Sequence, residues 1–281
     1  MEKQLTTKER VAFCTNIQKK HGQKIIFAIF ALFISLYFGA ISISFFILFV
    51  ASFPGIGTLL AFLMVFFVYV GIFALHTGFC LILLKIIRDE YTILGDLFVP
   101  FKNFKRTINI STPFALSAFA SSFASALVIL SIGSFESIFS DVANIQNNTT
   151  FIVIIYIFLF ITLLFNIPFV YLPFFGFDMQ KKSPKEIKKI SLILFKQSFK
   201  ELFSGYIAFA GKQIVFFLII LILSFLNIKV ISNLASVISS FFLFFVYTSI
   251  MLMTARIYQD FVQPEPKVEI SSIEKIENTQ E

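Results

Sequence analysis

No formally charged residue occurs from Ile25 through Leu84. A run of that length admits few folds. A water-soluble domain would break it with charge wherever the chain reached solvent, whereas a bilayer core about 30 Å thick is crossed by ~20 apolar residues in a helix. The run holds two such lengths, and Ser52-Phe53-Pro54-Gly55-Ile56-Gly57 supplies a turn between them. Composition agrees. Apolar residues make up 58% of the chain and charged residues 14%, against about a quarter charged in soluble domains. The chain contains 42 Phe and no Trp, so tyrosines must form any interfacial aromatic belt.

The run begins too late and lasts too long for a cleavable signal peptide, whose apolar region covers about 7–15 residues. It is read as retained spans. Further along, charge and apolar runs alternate. The expected layout is an all-α, polytopic transmembrane helix bundle with about six spans, at 25–51, 58–84, 113–132, 151–177, 206–226 and 234–256. Residues 1–24 are read as a cytoplasmic tail, 25–260 as the membrane domain and 261–281 as a disordered cytoplasmic tail, the last because Pro264, Pro266 and alternating Glu and Lys offer nothing to bury.

Two connections carry amphipathic patterns. Over 92–109, Ile93, Leu94, Leu97, Phe98, Phe101, Phe104 and Ile108 recur at helical spacing, with Pro100 as an expected kink. Over 184–203, Ile187, Ile190, Leu194, Phe195, Phe199, Leu202 and Phe203 form an apolar face, and Ser183-Pro184 before Glu186 is a helix-start signal. Both segments are expected to lie on the cytoplasmic surface.

Lys and Arg set the orientation. Lys3, Lys8, Arg10, Lys19, Lys20 and Lys24 precede the first span, and both amphipathic connections are basic. The first and third connections contain no Lys or Arg, and the fifth has Lys229 alone. This alternation predicts cytoplasmic termini. The net charge of +7 therefore reads as a topology signal, with no nucleic-acid partner implied. Spans two and three flank one amphipathic segment and spans four and five flank the other, which makes two parallel repeat units offset by about 90–95 residues.

The second unit contains Leu172-Pro173-Phe174, Lys182-Ser183-Pro184-Lys185-Glu186-Ile187 and Phe195-Lys196-Gln197-Ser198-Phe199-Lys200-Glu201-Leu202. The first offers Gly78, Gly95-Asp96-Leu97-Phe98 and Phe101-Lys102-Asn103-Phe104, and the chain closes with Met253-Thr254-Ala255-Arg256-Ile257-Tyr258-Gln259-Asp260-Phe261. From about Phe53 to Phe261 the chain resembles the YciC-like group of bacterial inner-membrane proteins, a group similar to the membrane domain of some glycerophosphodiester phosphodiesterases. The resemblance implies six spans in a bacterial inner membrane and carries no catalytic residue.

Polar groups within the spans are the functional candidates, because they are expensive there. His76 in the second span invites a proton relay or a substrate contact. A neutral imidazole bonded to a neighbouring helix is the favoured reading, since no span holds a carboxylate to pair with it. Asn166, with Pro168 and Pro173, marks a break in the fourth span whose freed carbonyls would either line a cavity or be bonded by adjacent helices. Lys212 in the fifth span would pair with Asp178 or Glu201, or snorkel to the headgroups, the favoured account. Arg256 reads in the same way, with Asp260 at i+4. Ser117, Ser121 and Ser125, beside Ala118, Ser122 and Ala126, form small-residue stripes suited to close helix packing. Lys185, Lys188, Lys189, Lys196 and Lys200 are candidates for anionic lipid headgroups at about 1 kcal/mol each.

Cys14 and Cys80 are read as plain thiols. No G-x-S-x-G, H-E-x-x-H, P-loop or paired intramembrane carboxylate occurs, and no catalytic, cofactor or metal residue is assigned. Asn147-Asn148-Thr149-Thr150 contains glycosylation sequons, which mean nothing in a bacterium. The expected role is a non-enzymatic envelope accessory or scaffold. The alternative is a carrier or permease for a small or lipidic substrate, with a membrane-embedded hydrolase a distant third.

Overall fold

The computed structural model describes residues 5–51, 53, 56–132, 166–179, 181–224 and 229–262. Among these the chain is helical and forms no strand. Helix α1 covers Thr7–Ala51, α2 Ile56–Ile87, α3 Val99–Lys102, α4 Phe104–Ile132, α5 Leu172–Asp178, α6 Pro184–Ser224 and α7 Lys229–Val262. Three of the described stretches are long and apolar enough to cross a membrane, namely Thr7–Gly39, Leu63–Ile87 and Pro184–Ile220. Their outer surfaces are apolar as well. Phe27, Phe38, Phe45 and Phe49 on α1 and Ile207, Val215 and Ile219 on α6 are more than half exposed. Exposed apolar area on that scale requires a nonaqueous solvent. This is a membrane protein.

Each helix begins and ends for local reasons. Thr6 and Glu9 cap α1 reciprocally: Glu9 N donates to Thr6 Oγ1 at 3.3 Å, and Thr6 N donates to Glu9 Oε2 at 2.7 Å. The helix therefore starts at Thr7, well inside the segment expected to be a tail. Arg10, Cys14 and Ile17 in it are buried against the bundle. Ser183 and Glu186 make the same reciprocal cap for α6, with Pro184 in its first turn. At its far end α2 closes with Glu90 N donating to Lys85 O and Asp89 N to Ile86 O. Asp89 occupies the left-handed position of this motif with φ 55°.

Two expectations about the connections need correction. The segment 184–203 does not form a separate surface helix. It is continuous with the following span in the 41-residue α6, about 60 Å of helix, which is twice a bilayer core. The helix is unbroken near residue 204, so its basic half and the span form one element. The segment 92–109 is not one helix kinked at Pro100. A 3-10 turn, Leu94–Phe98, leads into α3, where Pro100 sits at the start, and the break falls at Asn103 (φ −122°, ψ 61°). Helix α4 then begins at Phe104 and runs through Pro113 without stopping.

The 3-10 turn packs closely on α2. A Cβ on Gly78 would stand 2.0 Å from Leu97 O, so glycine is required there. Helices α6 and α7 share the most extensive interface, with Gly205 against Met253 and Ile257 and Tyr206 bonded to Thr254. Small residues let neighbouring helices approach closely. The buried face of α6 continues through Ile187, Ser191, Leu194, Ser198 and Leu202, where Ser198 meets the Tyr171 hydroxyl at 2.8 Å. Phe199 and Phe203, which the periodicity places on the buried face, are 52% and 60% exposed. The bulky rings are excluded from that face and stack on the outside. The polar connection 133–150, most of the expected fourth span and the C-terminal tail lie outside the described residues.

Candidate functional site

The first turns of α1 and the last turns of α2, α5 and α7 meet at one end of the bundle, and their charged side chains form a layer there. Arg10 Nε donates to Asp260 Oδ2 at 2.7 Å, and Arg256 Nη2 lies 3.1 Å from Asp260 Oδ1. All three side chains are buried. The Arg256 guanidinium also lies 4.0 Å above the Phe13 ring. Arg88 grips Asp178 with both terminal nitrogens, at 2.9 and 2.6 Å, while its Nε donates to Gln259 Oε1 at 2.9 Å. Tyr258 Oη donates to the same carboxylate at 2.9 Å. This bidentate bond raises the Arg88 pKa further above its ordinary value. Lys85 Nζ meets Asp96 Oδ1 at 2.8 Å, and Ile93 N donates to Asp96 Oδ2. Each cation faces an aspartate, and Arg10–Asp260 and Arg88–Asp178 join distant parts of the chain.

A fourth acid lies half-buried on α6. Glu201 Oε2 and Arg10 Nη2 are both buried without a hydrogen-bond partner. The Thr7–Ser204 hydroxyl contact at 3.2 Å aligns α1 and α6, placing Arg10 one turn above Thr7 and Glu201 one turn below Ser204. Arg10 and Arg256 share one carboxylate, that of Asp260.

Deeper in the bundle, the expected candidates are bonded to other helices. His76 Nδ1 is hydrogen-bonded to Tyr247 Oη on α7, and its Nε2 lies 3.7 Å from Cys80 Sγ on the next turn. Ser117 Oγ on α4 donates to Asn166 Oδ1 at 3.0 Å, next to a short 3-10 turn, Ile167–Phe169, where the helix pattern is interrupted. Lys212 is exposed on α6. It does not reach Asp178, which Arg88 occupies, and it lies about 16 Å of helical rise from Glu201. His76, Asn166 and Lys212 are thus on different helices, with no shared site among them. Of the basic residues on α6, Lys185, Lys189, Lys196 and Lys200 are exposed and Lys188 is half-buried. No group of three or more metal-binding side chains occurs among the described residues.

Sequence reasoning missed Arg10, Arg88 and Asp178 as members of one site. The signal for Arg10 was present in Thr6-x-x-Glu9, a capping box that starts a helix, followed by Val11, Cys14 and Ile17 at helical spacing. Comparison with known protein families, with curated proteins and with solved structures finds no match for the chain.

Proposed function

We propose that this chain is a six-span protein of the bacterial inner membrane, of the YciC-like kind, with both termini in the cytoplasm and a non-enzymatic accessory or scaffold role at the cytoplasmic face. The ionic layer carries the reading. Its arginines and carboxylates neutralise one another and join α1, α2, α5 and α7 at one end, where they hold a rigid platform. A carrier needs polar groups left available to a substrate in the membrane interior, and here His76 and Asn166 are bonded to Tyr247 and Ser117 on other helices.

The Lys/Arg distribution supports the orientation. The layer sits at the end that receives the basic N-terminal segment and the basic half of α6, which is the cytoplasmic end by the positive-inside rule. The exposed Lys185, Lys189, Lys196 and Lys200 then stand at anionic headgroups. The two units, 58–132 and 151–226, are proposed as parallel repeats whose cytoplasmic connections have diverged into a broken turn and a continuous helix.

The test is a chromosomal deletion complemented by the His76→Ala, Asn166→Ala, Lys212→Ala triple variant. An accessory role predicts wild-type complementation at normal membrane abundance. Lost complementation at normal abundance would favour a carrier and refute the proposal.

A further inference from the structure

Lys102 and Arg106 stand apart from the aspartate-paired cations of the layer. A half-open cavity of about 220 Å³ lies between α2, α3, the start of α4 and α5. Lys102, Asn103 and Arg106 line it along one side, Phe73, Ile110 and Phe177 along another, and no carboxylate lines it. Lys102 is exposed and forms no ion pair among the described residues. Arg106 Nη1 donates to Lys182 O at 2.9 Å and Nη2 to Met179 O at 2.7 Å, so both of its bonds go to neutral acceptors. Its Nε is buried with no acceptor. Arg10, Lys85, Arg88 and Arg256 each have an aspartate. Among the described residues, no ion pair neutralises the two cations that line this cavity.

We propose that the cavity binds an anionic phosphate amphiphile, with the phosphate held by Lys102 and Arg106 and the start of an acyl chain against Phe73 and Ile110. The volume corresponds to about seven waters at ~30 Å³ each, room for a headgroup and several methylenes. On α2 the cavity is lined by Phe73 and Thr77, one turn or about 6 Å of helical rise apart, with Phe73 the farther from the cytoplasmic end in the proposed orientation. A Cβ at Gly176 would meet Ile110 Cδ1 at 3.6 Å, an ordinary contact, so it takes a larger side chain there to fill the floor. A cationic rim over an apolar floor suits a lipid phosphate better than a free ion, which would leave the floor unused.

The chain has no Trp, so Phe177→Trp gives a unique fluorophore in the cavity wall. The full-length reporter, in phosphatidylcholine nanodiscs, is titrated with phosphatidylglycerol carrying brominated acyl chains. Brominated phosphatidylcholine and inorganic phosphate form the parallel arms. Saturable quenching by the anionic lipid is expected, at least five-fold weaker with Lys102→Gln and with Gly176→Leu. Lys102 holds no other group, so its variant reads binding without a folding defect, and elution as a monodisperse peak checks the second variant. Quenching that is equal for the zwitterionic lipid, or unchanged by both variants, overturns the proposal. Displacement by millimolar inorganic phosphate would assign the cations to the free ion and overturn it too.

Discussion

Arg10 Nε and Asp260 Oδ2 stand 2.7 Å apart, with side chains only 2% and 9% exposed, although 250 positions separate them. This contact fastens the first helical turn to the last one and closes the bundle end to end. Asp260 also holds Arg256, so the acid serves two cations. Removing one partner of a buried ion pair costs about 3–5 kcal/mol, because the other charge is stranded. Asp260→Asn should be more damaging than Arg10→Gln, since it strands two arginines. Thermal unfolding in detergent, followed by size-exclusion chromatography, should rank them in that order.

Arg88, Asp178 and Tyr258 form the second lock. Tyr258→Phe removes one hydrogen bond to a carboxylate that keeps its bidentate arginine, a loss of about 1.5–3 kcal/mol at most. Arg88→Gln strands Asp178 and should cost about 3–5 kcal/mol. The two variants measured side by side check whether charge or hydroxyl dominates. A larger effect from Tyr258→Phe would mean that the ion pair is not the main tie.

Gly78 and Gly71 lie on the same helix in opposite circumstances. A Cβ at Gly78 would collide with the Leu97 carbonyl, while one at Gly71 meets nothing within 4 Å. Gly78→Ala must displace the backbone of the 3-10 turn, which should cost about 1–3 kcal/mol or more. Gly71→Ala should be neutral or gain up to about 1 kcal/mol from helix propensity. Comparable thermal shifts for both would refute the close approach.

His76 and Tyr247 tie α2 to α7 inside the bundle. Interhelical hydrogen bonds within membranes average about 0.6 kcal/mol by double-mutant cycle. The cycle His76→Ala with Tyr247→Phe should give a coupling on that order and leave in vivo complementation intact. A small coupling with lost complementation would point to a chemical role for the imidazole.

How legible was all this in the sequence? Helical class and membrane residence were, because the uncharged run from Ile25 to Leu84 and the exposed apolar flanks of α1 and α6 leave no soluble solution. The cap at Ser183-Pro184-x-Glu186 was legible, and Asn166 with its prolines does mark an interruption. The path of the connections was not. Apolar periodicity counts Phe199 and Phe203 as core, but the buried face of α6 takes Ser191, Ser198 and Gly205 instead, with Ser198 under Tyr171 and Gly205 under Met253. Periodicity also cannot tell a helix lying on a surface from one extending a span, as in α6. The ionic layer was hidden for a different reason. Arg10, Arg88, Asp178 and Asp260 sit in separate terminal turns, and only the tertiary arrangement brings them together.

In the proposed orientation the ionic layer marks the cytoplasmic end of a six-span protein. Alkaline-phosphatase and fluorescent-protein fusions after Gly55, Pro100, Val142, Lys185, Val230 and Ile270 test it most directly. The account predicts phosphatase activity at Gly55, Val142 and Val230 and fluorescence at Pro100, Lys185 and Ile270. Phosphatase activity at Pro100 or Lys185 would contradict it.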